Sequence, residues 1–597
     1  MKQIQKKGLW SILKPVNFEI YTAMILSSIG AISLILSLSL LAFTLSNIFM
    51  DTPIEILGFK LDLFNTIVIL AILNIISFST KSLSFTISHL GAYKLEQILR
   101  TDLSLHLAKV PMGYITTTGS GALKKVIQND VLELHTFVAD TTPLIAKSII
   151  APILTFAILV YVDYRLALAS IFVMLIGIIP ISYIMKDATY NRKLYQEAQA
   201  KVNNAVIEFA QAMPIVRTFD DGSSSFKRYN NSLYNFRDKL NKWMEQNTLA
   251  AKLGILILSP LPTLFIVIVT SVYLLHNGTL EFSSFVLALF LSTGMADALS
   301  PIMWLNDFIR KSQASALRIF ELLEIKPLAQ VQKSKTPKNH DLVFENVSFS
   351  YDGSEKKALK NINFKVASGS ITALVGPSGA GKSTVAKLIP RFWDVSEGSI
   401  KIGEVNIKDI SNEDLMDLVS FVFQDTFLFA DTIFNNIKMA NPNATDEQVK
   451  DAARAAQIHE FIQSLPNGYE TKAGDRGANL SGGQKQRITI ARAILRDNPI
   501  VVLDEATAFA DPENEEEIIK ALANLMENKT VIVIAHRLST IKDVDQIVVI
   551  DKGELIEKGK HDELLKNKKI YHQLWSDYLK VGQWNMEVKS NIKKEIL

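Results

Sequence analysis

Apolar stretches of bilayer length recur through the first half of this 597-residue chain and do not recur in the second. A membrane-crossing helix needs about 20 consecutive apolar residues. Six segments meet that measure: residues 21–45, 63–83, 144–162, 166–185, 253–275 and 283–305. They predict a six-helix, all-α transmembrane domain over residues 1–325. Lys2, Lys6, Lys7 and Lys14 precede the first segment. The run from Ile20 to Phe49 is too long for a cleaved signal sequence and no small-residue cleavage pattern follows it, so it reads as a retained span.

The connections between these segments alternate in length. Short loops fall at residues 51–62, 163–165 and 276–281, whereas 84–143 and 186–252 are long, polar and patterned as helices with few breakers. Spans two to five are therefore expected to continue as helices beyond the membrane. Lysines and arginines crowd the N-terminus and both long connections, which puts those parts on the cytoplasmic side. Six crossings return the chain to that side. A helix over 311–323 leaves the membrane, and residues 326–341, with Pro327 and Pro337, read as a linker. From 342 to 580 short Val/Ile-rich strands alternate with helices, which predicts an α/β domain on a mostly parallel sheet. Residues 581–597 form a charged tail.

Composition fits two unlike parts in one chain. Hydrophobic residues make up 48% and charged residues 21%, with a mean hydropathy of +0.19. A formal charge of +3 is too balanced for a nucleic-acid binder. The chain has no cysteine, which excludes disulfides, thiolate metal sites and cysteine nucleophiles.

The chemistry sits in the α/β part. The apolar strand Ile371–Val375 runs into Gly376-Pro377-Ser378-Gly379-Ala380-Gly381-Lys382-Ser383-Thr384 and then a helix. This is the G-x-x-x-x-G-K-[ST] phosphate loop in its strand–loop–helix setting. Its glycines let main-chain N–H groups wrap phosphates. Lys382 is placed to meet the β- and γ-phosphates and Ser383 to hold Mg²⁺. A second apolar strand, Ile500-Val501-Val502-Leu503, ends in Asp504-Glu505. Asp504 is the expected second Mg²⁺ partner, and Glu505 is the expected base for the attacking water.

Across this domain the chain resembles the ABC ATPases. Leu480-Ser481-Gly482-Gly483-Gln484 matches the family's signature motif and opens a helix through Arg487 and Arg492. The resemblance implies that this motif grips the γ-phosphate of ATP held by another subunit. It further implies that Gln424 is the loop glutamine linking Mg²⁺ to the membrane domain, His536 the switch histidine, Tyr351 the aromatic residue stacked on adenine, and Asp511 the acid that communicates across the ATPase dimer. The implied ligands are ATP and Mg²⁺. The implied partner is a second half-transporter, identical or different.

The membrane half resembles the exporter-type ABC fold, which implies coupling helices that dock on ATPase domains. The candidates are residues 110–117 and 213–222, the second reaching the partner's ATPase domain. Among charges within spans, Asp297 is the candidate for lining a substrate cavity; an ion pair or hydrogen bond between helices is the alternative. Lys81 and Lys147 lie near span ends, where they can snorkel.

Two stretches, Ala508 to Glu515 and Phe209 to Phe219, look like a subgroup of exporter-fold transporters that import ferric siderophores. The reading is thus an ATP-driven transporter of the bacterial plasma membrane, set among lipid and taking a small-molecule substrate, with siderophore import or export of a drug, lipid or other amphipathic compound as its two directions. Soluble ABC machines of DNA repair or translation lack membrane spans. A regulatory subunit or channel on the same scaffold is less expected where Glu505 and the signature are intact. A peptide exporter with a fused protease would need a preceding domain and a cysteine.

Overall fold

The computed structural model describes residues 8–580 apart from 57–58, 187, 220–222, 330, 332, 352–355, 505–511 and 536–537. The chain divides into two compact units. One comprises Met1–Leu107 with Ser120–Ile325, and the other Ala108–Gly119 with Lys326–Leu597.

The first unit is helical. Its opening helices, Asn17–Phe49 and Leu63–Leu107, pack along each other and are joined by a short antiparallel pair, β1 (Ile54–Ile56) with β2 (Phe59–Leu61). Leu63–Leu107 has 45 residues, so at 1.5 Å per residue it is about 68 Å long, more than twice an apolar bilayer core. That length is what a span continuing beyond the membrane requires. Its first half exposes large apolar side chains such as Ile67, Ile75 and Phe78. That arrangement is costly in water and costs nothing against lipid.

Residues 120–162 form one long helical run containing two π-helical turns, Lys125–Asp130 and Phe137–Thr141. Asp130, at the end of the first, is buried. It accepts from Ser315 Oγ at 3.0 Å and Arg318 Nε at 2.8 Å, both on helix Phe282–Leu323. The hydrogen bond to Asp130 raises the pKa of Arg318.

The predicted turn at 163–165 narrows to Asp163, between helices Thr142–Val162 and Tyr164–Lys186. Arg165 Nε and Nη2 both donate to the Asp163 carboxylate, and Nη2 also donates to the Thr279 main-chain oxygen at 2.8 Å. One guanidinium thus ties two of the short loops together.

The fifth expected span is not continuous. Helix Ser223–Leu258 ends, Ser259 turns extended at ψ 160°, and helix Pro260–His276 begins with proline in its first turn. Pro260 excludes the helical conformation from the residue before it, and Pro260 and Pro262 have no N–H to give. Among the described residues three helices are long and apolar enough to cross a membrane: Lys14–Phe49, Leu63–Leu107 and Ser120–Val162. The other three expected spans coincide with shorter apolar stretches, Tyr164–Pro180, Pro260–His276 and Phe282–Met295.

The second unit carries two sheets. A four-stranded antiparallel sheet has the order β4-β3-β6-β7, with β3 Leu342–Phe349, β4 Leu359–Val366, β6 Glu397–Ile402 and β7 Val405–Asn406. A six-stranded sheet has the order β12-β11-β5-β10-β9-β8. Its strands are β5 Ile371–Val375, β8 Val419–Val422, β9 Ile500–Asp504, β10 Thr530–Ile534, β11 Gln546–Asp551 and β12 Glu554–Gly559. All neighbours are parallel except β11 and β12. Strand β9 is buried along its length because sheet neighbours and both faces cover it, which explains its unbroken apolar sequence. One core, including Leu374, Val502 and Ile532, joins the two sheets. A second packs helix Gly482–Arg496 on the other face of β9 through Ile488, Ala491, Val501 and Leu503.

Candidate nucleotide-binding site

The phosphate loop leaves β5 and enters helix Lys382–Leu388. Gly376 has φ +151°, and a Cβ there would stand 2.0 Å from the main-chain oxygen of Ile550. Gly381 has φ +107° and passes so close to Leu359 that a Cβ would lie 2.7 Å from its side chain. Both positions need glycine for conformation and for space. Pro377, Ser378 and Gly379 are exposed at the loop's crest, Ala380 is buried, and its carbonyl accepts from Gly553 N at 3.0 Å.

Lys382 is buried, and its Nζ donates to the carbonyl oxygens of Gly376 at 2.8 Å and Pro377 at 2.9 Å. The ammonium is therefore held across the mouth of the loop. Ser383 Oγ donates to Asp504 Oδ1 at 3.3 Å. Asp504 reaches it because β9 lies two strands from β5 with β10 between. A hydroxyl and a carboxylate oxygen at that separation form a hard oxygen pair of the kind Mg²⁺ takes. Thr384 follows, its Oγ1 2.8 Å from the hydroxyl of Tyr351. Lys382, Ser383, Thr384 and Asp504 thus converge.

The Tyr351 ring is set by aromatic neighbours. It meets Trp393 edge-on at 5.2 Å and 87°, and Phe349 at 4.9 Å and 80°. Gln424 is exposed just beyond the end of β8. Glu505, Asp511 and His536 lie outside the described residues, as does the side chain of Asp297, whose backbone belongs to helix Phe282–Leu323. Of the second candidate coupling segment, residues 220–222 also lie outside.

The signature stretch is a helix start. Ser481 Oγ accepts from Gln484 N at 3.3 Å and Gln484 Oε1 accepts from Ser481 N at 2.9 Å, a reciprocal capping box. Leu480 packs on the second core, Gly483 is buried, and Ser481 and Gly482 are exposed. Farther along this helix Arg492 donates to the carbonyl oxygens of Phe427, at 2.8 Å, and Asn436. Burial pushes its pKa down to about 10. Arg492 therefore fixes the loop after Gln424 from behind, and Phe427 and Phe429 remain about half exposed on it.

Sequence reading missed the setting of the first candidate coupling segment. Helix Met112–Thr118 belongs to the second unit, and Gly113 N donates to the Phe392 carbonyl at 3.0 Å. Leu328 N of the linker donates to the Lys109 carbonyl at 3.2 Å. The linker is itself fixed, since buried Arg391 donates to the Ala329 carbonyl and Ser334 Oγ accepts from Ser411 N. Gly113 and Trp393 are too far apart in sequence for local pattern to pair them.

Comparison with known proteins agrees with this arrangement. Residues 20–299 match the family described as ABC transporter transmembrane region, and residues 359–508 match that described as ABC transporter. The chain is 37% identical over 489 residues to the mycobactin import ATP-binding/permease protein IrtA of Mycolicibacterium smegmatis, covering 82% of this chain and 56% of that protein. This chain thus spans little more than half the length of that relative. It is 37% identical over 487 residues to the ATP-dependent lipid A-core flippase of Desulfotalea psychrophila, covering 80% of this chain and 83% of the flippase. Among solved structures, a bacterial Atm1-family ABC exporter with ATP bound superposes with a TM-score of 0.74 at 27% identity, over 94% of this chain and 98% of that one. A helical transmembrane region and an α/β ATP-binding domain are fused in this order in one chain, which therefore belongs to the ABC transporter family and has the exporter-type fold.

Proposed function

We propose that the chain is one half of a dimeric ATP-driven transporter of the bacterial plasma membrane. The carrying observation is the convergence of Lys382, Ser383 and Asp504 at the ends of β5 and β9. In this reading Gly376–Thr384 cradle the phosphates of ATP, Lys382 leaves its two carbonyls for the β- and γ-oxygens, and Ser383, Asp504 and Gln424 hold Mg²⁺. The metal, when bound, neutralises charge on the phosphates. Glu505 takes the proton of the attacking water, and His536 contacts the γ-phosphate. Asp511 signals across the dimer. Ser481–Gln484 complete the ATP site of the other half, which is a second copy or a different chain. The exposed Phe427 and Phe429 suit an apolar coupling segment from that partner.

For the cargo we infer a small amphipathic solute, with import of an iron–siderophore or related chelate as the leading reading. It is supported by the likeness to a protein named for mycobactin import and by the stretches 209–219 and 508–515. Export of a lipid or drug is the second reading, supported by the equal identity to a lipid A-core flippase with greater coverage of that protein. Reconstitution in vesicles, alone and with a co-encoded half, separates them. ATP-dependent movement of radio-iron siderophore toward the ATPase side is expected. Movement of lipid or dye away from that side, without siderophore movement, would favour export.

A further inference from the structure

Trp393 stands between two features that the proposed function treats separately. It faces Gly113 of helix Met112–Thr118 so closely that a Cβ added there would lie 1.8 Å from the indole. The same indole meets the Tyr351 ring edge-on at 5.2 Å, and the Tyr351 hydroxyl is 2.8 Å from Thr384 of the phosphate loop. Trp393 is 8% exposed, and its main-chain neighbour Phe392 accepts the hydrogen bond from Gly113 N. All of these residues belong to one compact unit.

An indole has two side-chain torsions, and a buried one has little room to absorb a displacement at one contact without passing it to the next. We propose that Trp393 is a positioning residue for the nucleotide. It links the seat of helix Met112–Thr118 directly to the adenine-side residue Tyr351, by a route separate from Gln424. A change in how Gly113 packs then moves Tyr351 and alters the affinity for ATP. Occupancy of Tyr351 by the base correspondingly tightens the seat of Gly113, because coupling between two binding events is reciprocal. The inference rests on the reading of Tyr351 as the residue stacked on adenine.

The test uses the full-length transporter in lipid nanodiscs, with ATPase kinetics of Gly113→Ala, Gly113→Ala with Trp393→Phe, Trp393→Phe and Tyr351→Ala. Gly113→Ala is expected to raise KM for ATP by about five- to tenfold, the low end of coupling between sites, with kcat little changed. Trp393→Phe, which removes a ring from the clash, is expected to restore most of that KM in the double variant. Because the smaller ring would also relieve a steric fault in folding, the melting temperature of each variant is read beside KM, and a KM that rises only in step with a fall in melting temperature overturns the link. If Tyr351→Ala raises KM while Gly113→Ala does not, or if the double variant is no better than Gly113→Ala, the link through Trp393 is overturned and the adenine reading stands. If Tyr351→Ala leaves KM unchanged, the adenine reading fails and the link fails with it.

Discussion

The ammonium group of Lys382 donates to the main-chain oxygen of Gly376, 2.8 Å away and six residues behind it in the chain. The bond closes the phosphate loop on itself, and a nucleotide has to exchange it for phosphate oxygens. Removing the amine by Lys382→Ala forfeits a charged hydrogen bond, about 1.5–3 kcal/mol. That converts to roughly ten- to hundredfold weaker ATP binding. Titration calorimetry should read this directly, and an unchanged Kd would take Lys382 out of the phosphate site.

Glu505 follows Asp504, the last residue of β9. If it is the base, Glu505→Gln should lower turnover by about a hundredfold or more while leaving ATP binding intact, so that ATP-bound dimers accumulate. Phosphate release and size-exclusion chromatography with ATP and Mg²⁺ check both halves of the expectation. Normal turnover would remove Glu505 from the role.

Asp130 is buried with three donated hydrogen bonds from Ser315 and Arg318. Asp130→Ala leaves Arg318 without its carboxylate. The expected loss is about 2 kcal/mol, less than for a fully buried pair because Arg318 is partly exposed. A thermal shift in detergent should show it, and adding Arg318→Ala should cost little more. Additive losses would mean the two residues act independently.

Asp341 has its pKa lowered, first by the hydrogen bond from Lys365 and then by that from Ser368 N. A depressed carboxylate contributes stability that is complete above its ordinary value near 3.8 and is lost as pH falls through the lowered value. Asp341→Asn should therefore lower the melting temperature at pH 7 and narrow the gap to the parent protein below about pH 4. A difference that stays constant from pH 7 to 3 would contradict the pairing.

Much of the ATP-binding unit is legible in sequence because the central strands of its six-stranded sheet are buried on both faces. Ile500–Leu503 has no polar residue before Asp504 at the site, and Ile371–Val375 has only the buried Thr372. The phosphate loop is legible for a related reason, since Gly376 and Gly381 occupy backbone shapes and spaces that exclude other residues. The helical half is less so. Hydropathy averages over Ser259, where Pro260 breaks the fifth apolar segment, because leucines and isoleucines on both sides keep the mean high. Nor does hydropathy register the π turn that brings Asp130 to Ser315 and Arg318, since a π turn is a matter of helix winding. The Gly113–Trp393 contact leaves no local trace either, because each residue is ordinary in its own segment.

The place of residues 108–119 in the second unit bears on how this protein can be cut for study. The two units exchange chain at three points: before residue 108, after 119 and before 326. An ATPase fragment cloned from Leu342 onward would carry the phosphate loop and the signature, yet it would lack the short helix that covers Trp393 and the linker carbonyl that receives Arg391. Such a fragment begins its life with an uncapped indole and a buried arginine short of an acceptor. Supplying a peptide of residues 108–119 in trans should improve its solubility and steady its nucleotide affinity, and limited proteolysis within 326–341 of the intact chain should leave the cleaved ATPase domain held on that stretch, which stays covalently joined to residues 107 and 120.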